Sequence, residues 1–264
     1  IFLNASTVAT AFILLNSTSN RFPNGLGNGS DQVGRNLMDH HKGLSFWAEV
    51  EGFEDSYYYG RRPTSIYIPR FRNINEQHPD FLRGYHFGAG AYRGPQAGDA
   101  PIGAHLKEAL SVPGGWHVSM YAFGECLPYA ENRITLSKDK RDQWDRPLVV
   151  ADCEFKDNEK SMHEDVKTTG LEILNAAGFK NAGVSGSISF PGNANHEMGT
   201  ARMGRDAKTS VLNAFNQMHE VPNVFITDGA CMTSGSCVNP SITYMALTAR
   251  ACDYAVKELK KMNI

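Results

Sequence analysis

The amino-acid sequence predicts an α/β (α+β) protein in which a sheet-rich segment interrupts an α/β framework. Residues 1–16 have the pattern of strand, turn and helix, and residues 223–261 repeat that order near the C-terminal end. Between them, residues 42–155 contain several β-type segments without intervening helices, which is typical of an antiparallel sheet. We therefore predict one domain formed by residues 1–40 and 191–264, with residues 41–190 inserted as a second domain.

The outer segments supply the elements of the first domain. Residues 1–3 form an apolar strand, residues 4–7 a turn of small residues, and residues 8–15 a short apolar helix. Residues 223–227 form a second strand, and a helix over 240–261 follows with Asn239 as its N-cap and Pro240 at its first position. Apolar residues at helical spacing predict the buried stripe of this helix: Ile242, Met245, Ala249 and Val256.

The inserted segment alternates β-type runs with turn residues. The predicted strands cover residues 44–50, 65–69, 84–92, 116–125, 133–137 and 148–153. A helix over 157–177 follows, because apolar residues recur there at helical spacing and Gly178 suits the position after its last turn.

Composition excludes several classes of protein. The chain has 264 residues, of which 41% are hydrophobic and 20% charged, with a net charge of -2. A nucleic-acid-binding surface would require a basic excess, so nucleic acid is not an expected partner. No apolar run reaches the roughly 20 residues that span a bilayer. The five cysteines match no zinc spacing and predict no disulfide framework.

The first residues, Ile1-Phe2-Leu3, lie inside a predicted strand and lack the charged and small-residue regions of a signal peptide. We therefore expect the chain to begin in the middle of a fold. This leaves both a cytoplasmic and a periplasmic location open.

His196 is the first candidate for chemistry. It lies in a loop of small residues and is followed by Glu197 and Met198. An imidazole titrates near neutrality and can accept a hydroxyl proton, although a surface histidine without function fits the same pattern. The His-Glu pair resembles the start of a zinc-protease motif, but position 200 is Thr200 and no metal site is predicted.

The segments around Asn239 and Asp228 are the second and third candidates. The helix start at Asn239-Pro240-Ser241 presents unpaired amides that stabilise anions, and an ordinary helix cap is the alternative. Asp228-Gly229 follows an apolar strand, where a carboxylate often binds a sugar hydroxyl of a nucleotide cofactor, and a simple turn is the alternative. His40-His41 is expected to be structural, because adjacent strand residues point to opposite faces.

Together these segments resemble the glucose-methanol-choline (GMC) family of flavoprotein oxidoreductases. The resemblance covers most of the chain and is strongest in residues 192–260. There the family's His-x-x-Gly-Thr element appears as His196 to Thr200, its strand-Asp-Gly element as Val224 to Gly229, and its last helix start as Asn239-Pro240. Further similar segments lie at residues 5–17, 34–40, 124–128 and 132–136.

The resemblance implies an FAD enzyme that oxidises an alcohol. It assigns His196 as the base that takes the hydroxyl proton as a hydride leaves for flavin N5, and Asn239 as the residue that holds the substrate oxygen. It assigns five residues to cofactor binding: Ala5, Asp228, Gly229, Pro240 and Ser241. The sequence around His196 is most similar to that of sugar-oxidising members, so a pyranose or glycoside is the expected substrate. The framework would then be part of the FAD-binding domain and the insertion the substrate-binding domain.

The sequence departs from the family in one respect. The Gly-x-Gly-x-x-Gly fingerprint that binds the FAD pyrophosphate is absent from these residues. We therefore expect a C-terminal fragment that depends on an N-terminal half or a partner chain carrying the fingerprint. A non-catalytic carbohydrate-binding module derived from this fold is the alternative.

Overall fold

The computed structural model describes residues 1–56, 65–95, 98 and 102–264, and the chain divides into two units. The first unit consists of residues 1–41, 125–159 and 190–264, and the second of residues 42–124 and 160–189. Both helices and antiparallel strands are present, which confirms the predicted mixed α/β class. Residues 125–159 belong to the first unit, whereas the sequence prediction assigned them to the insertion.

Ten strands and four α-helices are found among the described residues. In chain order they are β1 (Phe2–Leu3), α1 (Thr7–Asn16), β2 (His40–His41), β3 (Ser45–Val50), β4 (Ile66–Ile68), β5 (Tyr85–Pro95), α2 (Ala104–Ser111), β6 (Pro113–Glu125), β7 (Arg133–Arg141), β8 (Pro147–Asp152), α3 (Asp157–Ala176), β9 (Lys180–Ser185), β10 (Phe225–Ile226) and α4 (Ser241–Lys260).

In the first unit, the two outer segments of the chain meet as parallel strands. β1 pairs with β10, with Phe2 opposite Phe225 and Leu3 opposite Ile226. Leu14 of α1 and Ile226 of β10 are buried in one apolar cluster. This pairing brings the turn before α1 next to the end of β10, where the sequence places Asp228.

A hairpin of β7 and β8 also belongs to the first unit. β7 continues to Arg141, beyond the predicted end at residue 137. The reason is the tight turn that follows, in which Asp142 Oδ1 accepts hydrogen bonds from the amides of Trp144 and Arg146 at 2.9 and 3.0 Å. This turn keeps the two strands paired up to Arg141 and Pro147.

In the second unit, five strands lie in the order β4-β5-β6-β3-β9, with every neighbouring pair antiparallel. Alternate residues of these strands pack against α3 in one apolar cluster that includes Phe46, Phe87, Met120 and Met162. Gly170 of α3 allows the close approach, because a Cβ there would lie 2.3 Å from the Phe46 ring.

Two elements of the second unit were not predicted. α2 is a helix of eight residues, none of which is buried. β9 is an edge strand whose residues show no alternation of buried and exposed positions. Its identity depends on pairing with β3, which sequence periodicity does not report.

The buried stripe predicted for α4 is wrong. Ile242, Met245 and Val256 are 77%, 71% and 51% exposed, and Ala249 is exposed as well. Ala251 and Ala255 are buried instead. The helix carries apolar residues on two faces, and the face with small residues packs against Phe225. None of the helices in the described part of the chain is long and apolar enough to cross a membrane.

Candidate active site

The loop that carries His196 is held by a single carboxylate. Asp39 Oδ2 accepts hydrogen bonds from the amides of Gly192 and Ala194, both at 2.9 Å. Asp39 Oδ1 accepts from the amides of His196 at 3.2 Å and His40 at 2.7 Å. Because Asp39 is buried, these bonds replace the ones that water would make to the same amides.

Both nitrogens of the His196 ring have polar neighbours. Nε2 lies 3.4 Å from the side-chain Nδ2 of Asn239, and Nδ1 lies 3.1 Å from Nδ1 of His40. The rings of His40 and His196 meet edge to face, with centroids 5.1 Å apart. The two residues that the sequence singled out, 43 positions apart, therefore lie side by side.

The glycine and the threonine of the His-x-x-Gly-Thr element have structural roles. The Gly199 amide donates to Gly229 O at 3.0 Å, and Thr200 Oγ1 donates to Thr7 O at 2.7 Å. Gly199 has φ +101°, and a Cβ there would lie 2.1 Å from Asn36 O. The element therefore joins the His196 loop to the start of α1 and to the residues after β10.

Asn239 does not cap α4, contrary to the sequence prediction. The helix begins at Ser241, Pro240 occupies the N-cap position, and no side chain caps the helix. The carboxamide of Asn239 faces the His196 imidazole instead. The first intrahelical bonds are donated by Thr243 and Tyr244 to Pro240 O, so the amides of Ser241 and Ile242 precede the ladder of intrahelical bonds.

The carboxylate of Asp228 is hydrogen-bonded to neighbouring groups of the protein. Its Oδ2 accepts from Thr10 Oγ1 at 2.5 Å and its Oδ1 from the Ala230 amide at 2.8 Å. Burial raises the pKa of this carboxyl group, while Thr10 and the amides of Ala230, Ser6 and Ala5 oppose that rise. The carboxylate thus holds the turn before α1 against the end of β10, and Ala5 contributes through its backbone.

Gly229 follows at a point where several segments converge. A Cβ at this position would lie 2.5 Å from Thr7 Oγ1 and 2.6 Å from Glu197 O. It would also lie 3.0 Å from the hydroxyl group of Tyr244 in α4. Only a glycine allows the start of α1, the His196 loop and α4 to approach this closely.

A cavity of about 300 Å³ lies at this convergence, within the first unit. Its lining consists of Asn4, Ser6, Thr7, Asn195, His196, Glu197, Asp228, Gly229, Pro240, Ser241 and Tyr244. Five of the seven predicted site residues are among them. Asn239 contacts His196 without lining the cavity, and Ala5 lies between two residues that line it.

Sequence reasoning missed two residues that shape this site. Asp39 and His40 adjoin each other in the sequence but lie more than 150 positions from the loop they contact. The available signal was the His40-His41 pair after Asp39, at a loop-to-strand junction, for which a structural role was predicted. Nothing in the local pattern indicates which distant loop these side chains reach.

Comparisons with known proteins identify the family that this chain resembles. Residues 128–248 match the family model described as GMC oxidoreductase. The 2-methyl-1,2-propanediol dehydrogenase of Mycolicibacterium austroafricanum is 31% identical, over 96% of this chain and 47% of that protein. The fructose dehydrogenase large subunit of Gluconobacter japonicus is 29% identical, over 97% of this chain and 47% of that protein.

A solved structure is similar as well. The pyridoxine 4-oxidase from Mesorbium loti matches 97% of this chain and 50% of that chain, with 17% sequence identity and a TM-score of 0.49. The present chain spans about half the length of the relatives it matches. The family predicted from the motifs is confirmed by the family match and the two dehydrogenases: this chain is a GMC oxidoreductase sequence and corresponds to the C-terminal part of that family.

Proposed function

We propose that this chain supplies the base and part of the cofactor-binding surface of an FAD-dependent enzyme that oxidises an alcohol. The observation that carries the proposal is the contact of His196 Nε2 with the Asn239 carboxamide at 3.4 Å, beside the cavity at the start of α4. A proton acceptor and a polar anchor at one point are what removal of a hydroxyl proton requires.

The residues around the cavity fit one end of a flavin. The amides of Ser241 and Ile242, at the positive end of the α4 dipole, favour an anionic group. Gly229 carries no side chain, which lets the start of α1, the His196 loop and α4 approach one another beside this helix start. We propose that Pro240, Ser241, Gly229, Asp228 and Ala5 hold the cofactor here, with Asp228 and Ala5 acting through the turn that they stabilise.

In the proposed reaction His196 Nε2 accepts the proton of the substrate hydroxyl. Asn239 hydrogen-bonds the same oxygen and holds it near the imidazole. Asp39 acts indirectly, because its bonds to the His196 and Ala194 amides fix the loop that aims the ring. When bound, FAD supplies the acceptor for the hydride that leaves the carbinol carbon.

We propose a sugar hydroxyl as the substrate. Two observations support a sugar substrate: the His-Glu-Met-Gly-Thr motif and the similarity to a relative that is named for fructose. The other dehydrogenase is named for a small diol, so both names point to hydroxylated substrates. In the proposed enzyme, the second unit is the substrate-binding domain.

We further propose that a segment with the Gly-x-Gly-x-x-Gly fingerprint completes the FAD site, on the same polypeptide or on a partner chain. The support is the absence of that fingerprint from these 264 residues and the twofold greater length of the relatives.

The proposal is tested by expressing the protein from its intact gene and recording its visible spectrum. We expect a yellow protein whose flavin absorbance bleaches when fructose, glucose or a small diol is added without oxygen. A colourless protein that binds these sugars in calorimetry would contradict the proposal and support the carbohydrate-binding module. A yellow protein that no alcohol or sugar bleaches would contradict the assigned reaction.

A further inference from the structure

We propose that His40 is a positioning residue that fixes the tautomer of His196, so that the neutral ring carries its proton on Nδ1 and leaves Nε2 unprotonated. The catalytic consequence rests on the proposed function, whereas the tautomer itself does not. The inference follows from a row of four polar groups in the first unit: Asn239, His196, His40 and the carbonyl group of Gly235.

The direction of the hydrogen bonds along this row is set at its buried end, where His40 lies beside Gly235. His40 Nε2 lies 3.3 Å from Gly235 O, and a carbonyl oxygen can only accept a hydrogen bond. His40 is fully buried, so a lone pair facing that carbonyl would leave both groups unsatisfied. The proton of a neutral His40 ring therefore lies on Nε2.

The buried position of His40 favours the neutral form of its ring. Burial lowers the pKa of His40, and the neighbouring His196 ring lowers it further, while the backbone of Gly235 and Ser236 and the charge of Asp39 oppose the change. A neutral imidazole carries one proton. With that proton on Nε2, Nδ1 of His40 is a hydrogen-bond acceptor.

The contact between the two rings then has one assignment. Nδ1 of His196 lies 3.1 Å from Nδ1 of His40, so His196 Nδ1 must be the donor. A neutral His196 consequently has an unprotonated Nε2. Asn239 Nδ2 lies 3.4 Å from that atom and is a donor, which agrees with a lone pair there.

This arrangement has a consequence for proton uptake. When Nε2 of His196 takes a proton, the bond from Nδ1–H to His40 is retained, so the ring keeps its position. The donor group of Asn239 then faces a second donor, and the carboxamide must turn to present its oxygen. His40 thus prepares the base, while Asn239 is the group that responds to proton transfer.

The test is ¹⁵N NMR of the chain labelled at histidine, at a pH where His196 is neutral, with its signals assigned by their loss in His196→Gln. The ¹⁵N shifts report which ring nitrogen carries the proton. We expect Nδ1–H for His196 in the wild type. A His196 ring protonated on Nε2 would overturn the proposal, without any variant being needed.

Variants separate positioning from folding. We expect His40→Leu, which removes the acceptor, to abolish the Nδ1–H preference, and His219→Gln to retain it. His219 lies in the same unit and bonds Ser210 instead. A folded His40→Leu protein with an unchanged His196 tautomer would contradict the role of His40, and if that variant does not fold, the wild-type tautomer decides.

This test needs no cofactor, so its failure is distinguishable from failure of the proposed oxidation. Nδ1–H on His196 together with an unreactive flavin would uphold the positioning role and reject the redox role. In the flavin-loaded protein we expect His40→Leu to lower kcat about tenfold or more with little change in KM, since substrate contacts remain.

Discussion

Asp39 accepts hydrogen bonds from four backbone amides, three of which belong to residues 192–196. Bonds of this kind, from backbone N–H to a charged acceptor, are about twice as strong as neutral ones. The position of the His196 ring therefore depends on a residue that touches neither proposed substrate nor cofactor. At the scale of single residues, the site is a loop that one carboxylate holds in place.

We expect Asp39→Asn to lower the free energy of unfolding by about 2 kcal/mol or more. The substitution turns one acceptor oxygen into a donor, which leaves two amides without an acceptor, one of them buried. Chemical denaturation measures the loss, and Asp206→Asn is the control. Asp206 is exposed and its side chain accepts from the amide of Lys208, so a change within about 0.5 kcal/mol is expected there. Equal losses in the two variants would contradict the role of Asp39.

We also expect stability to fall as the pH drops below about 6.5. Burial lowers the pKa of His40 and of His163 in the folded state, whereas both histidines regain ordinary values on unfolding. Below 6.5 the unfolded state therefore binds more protons than the folded state, and the free energy of unfolding decreases with falling pH.

The measurement is the slope of unfolding free energy between pH 7 and pH 5.5. His40→Gln and His163→Gln should each reduce that slope, and His105→Gln, which removes an exposed imidazole, should preserve it. A slope of the same size in His40→Gln and the wild type would show that His40 does not contribute.

At the scale of secondary structure elements, α4 shows that hydrophobic periodicity alone does not identify the buried face of a helix. Its apolar residues lie on two stripes. The sequence prediction selected the stripe that is exposed, formed by Ile242, Met245, Ala249 and Val256. The face that packs carries Ala251 and Ala255, whose small size lets the helix lie close to Phe225. Choosing between the stripes requires knowing what lies beneath the helix, and this is tertiary information. The start of α4, in contrast, was predicted to within one residue.

Gly199 shows the opposite case: its place in the short His-x-x-Gly-Thr motif reflects a contact made in the tertiary structure. Its positive φ and the 2.1 Å approach of a Cβ to Asn36 O both demand a glycine. We expect Gly199→Ala to cost about 3 kcal/mol or more, because backbone atoms must move as well as the strained residue. The free energy of unfolding in urea measures this cost.

Gly192 is the matched control for this prediction. It also has a positive φ, +90°, but nothing lies within 4 Å of its Cβ position. Gly192→Ala should therefore cost only the backbone strain, about 1 kcal/mol. Similar losses in both variants would mean that the contact with Asn36 is unimportant.

At the scale of the whole molecule, the sequence predicted the mixed α/β class and the family, both of which are confirmed. The antiparallel sheet of the insertion was predicted because several β-type segments follow one another without intervening helices. In one of them, β3, Phe46 and Ala48 are buried and their neighbours are not. The assignment of residues 125–159 to the first unit was not predicted. Those residues join it through contacts distant in sequence, such as the Leu37 amide with Asn132 O at 2.9 Å.

The candidate site was likewise predicted only in part. His196 and Asn239 were identified because each lies in a dense local pattern, and the structure places them in contact. Their roles stay a prediction. His40 was not identified as a neighbour of His196, since a contact across 156 positions leaves no mark in either segment.

The central claim is that His196 removes the substrate proton in an FAD-dependent oxidation. Stopped-flow measurement of flavin reduction in the protein from the intact gene tests it most directly, with His196→Gln compared against His219→Gln. We predict a fall of about 10²-fold or more for His196→Gln and a rate near the wild type for His219→Gln. Flavin reduction at the normal rate in His196→Gln would contradict the claim.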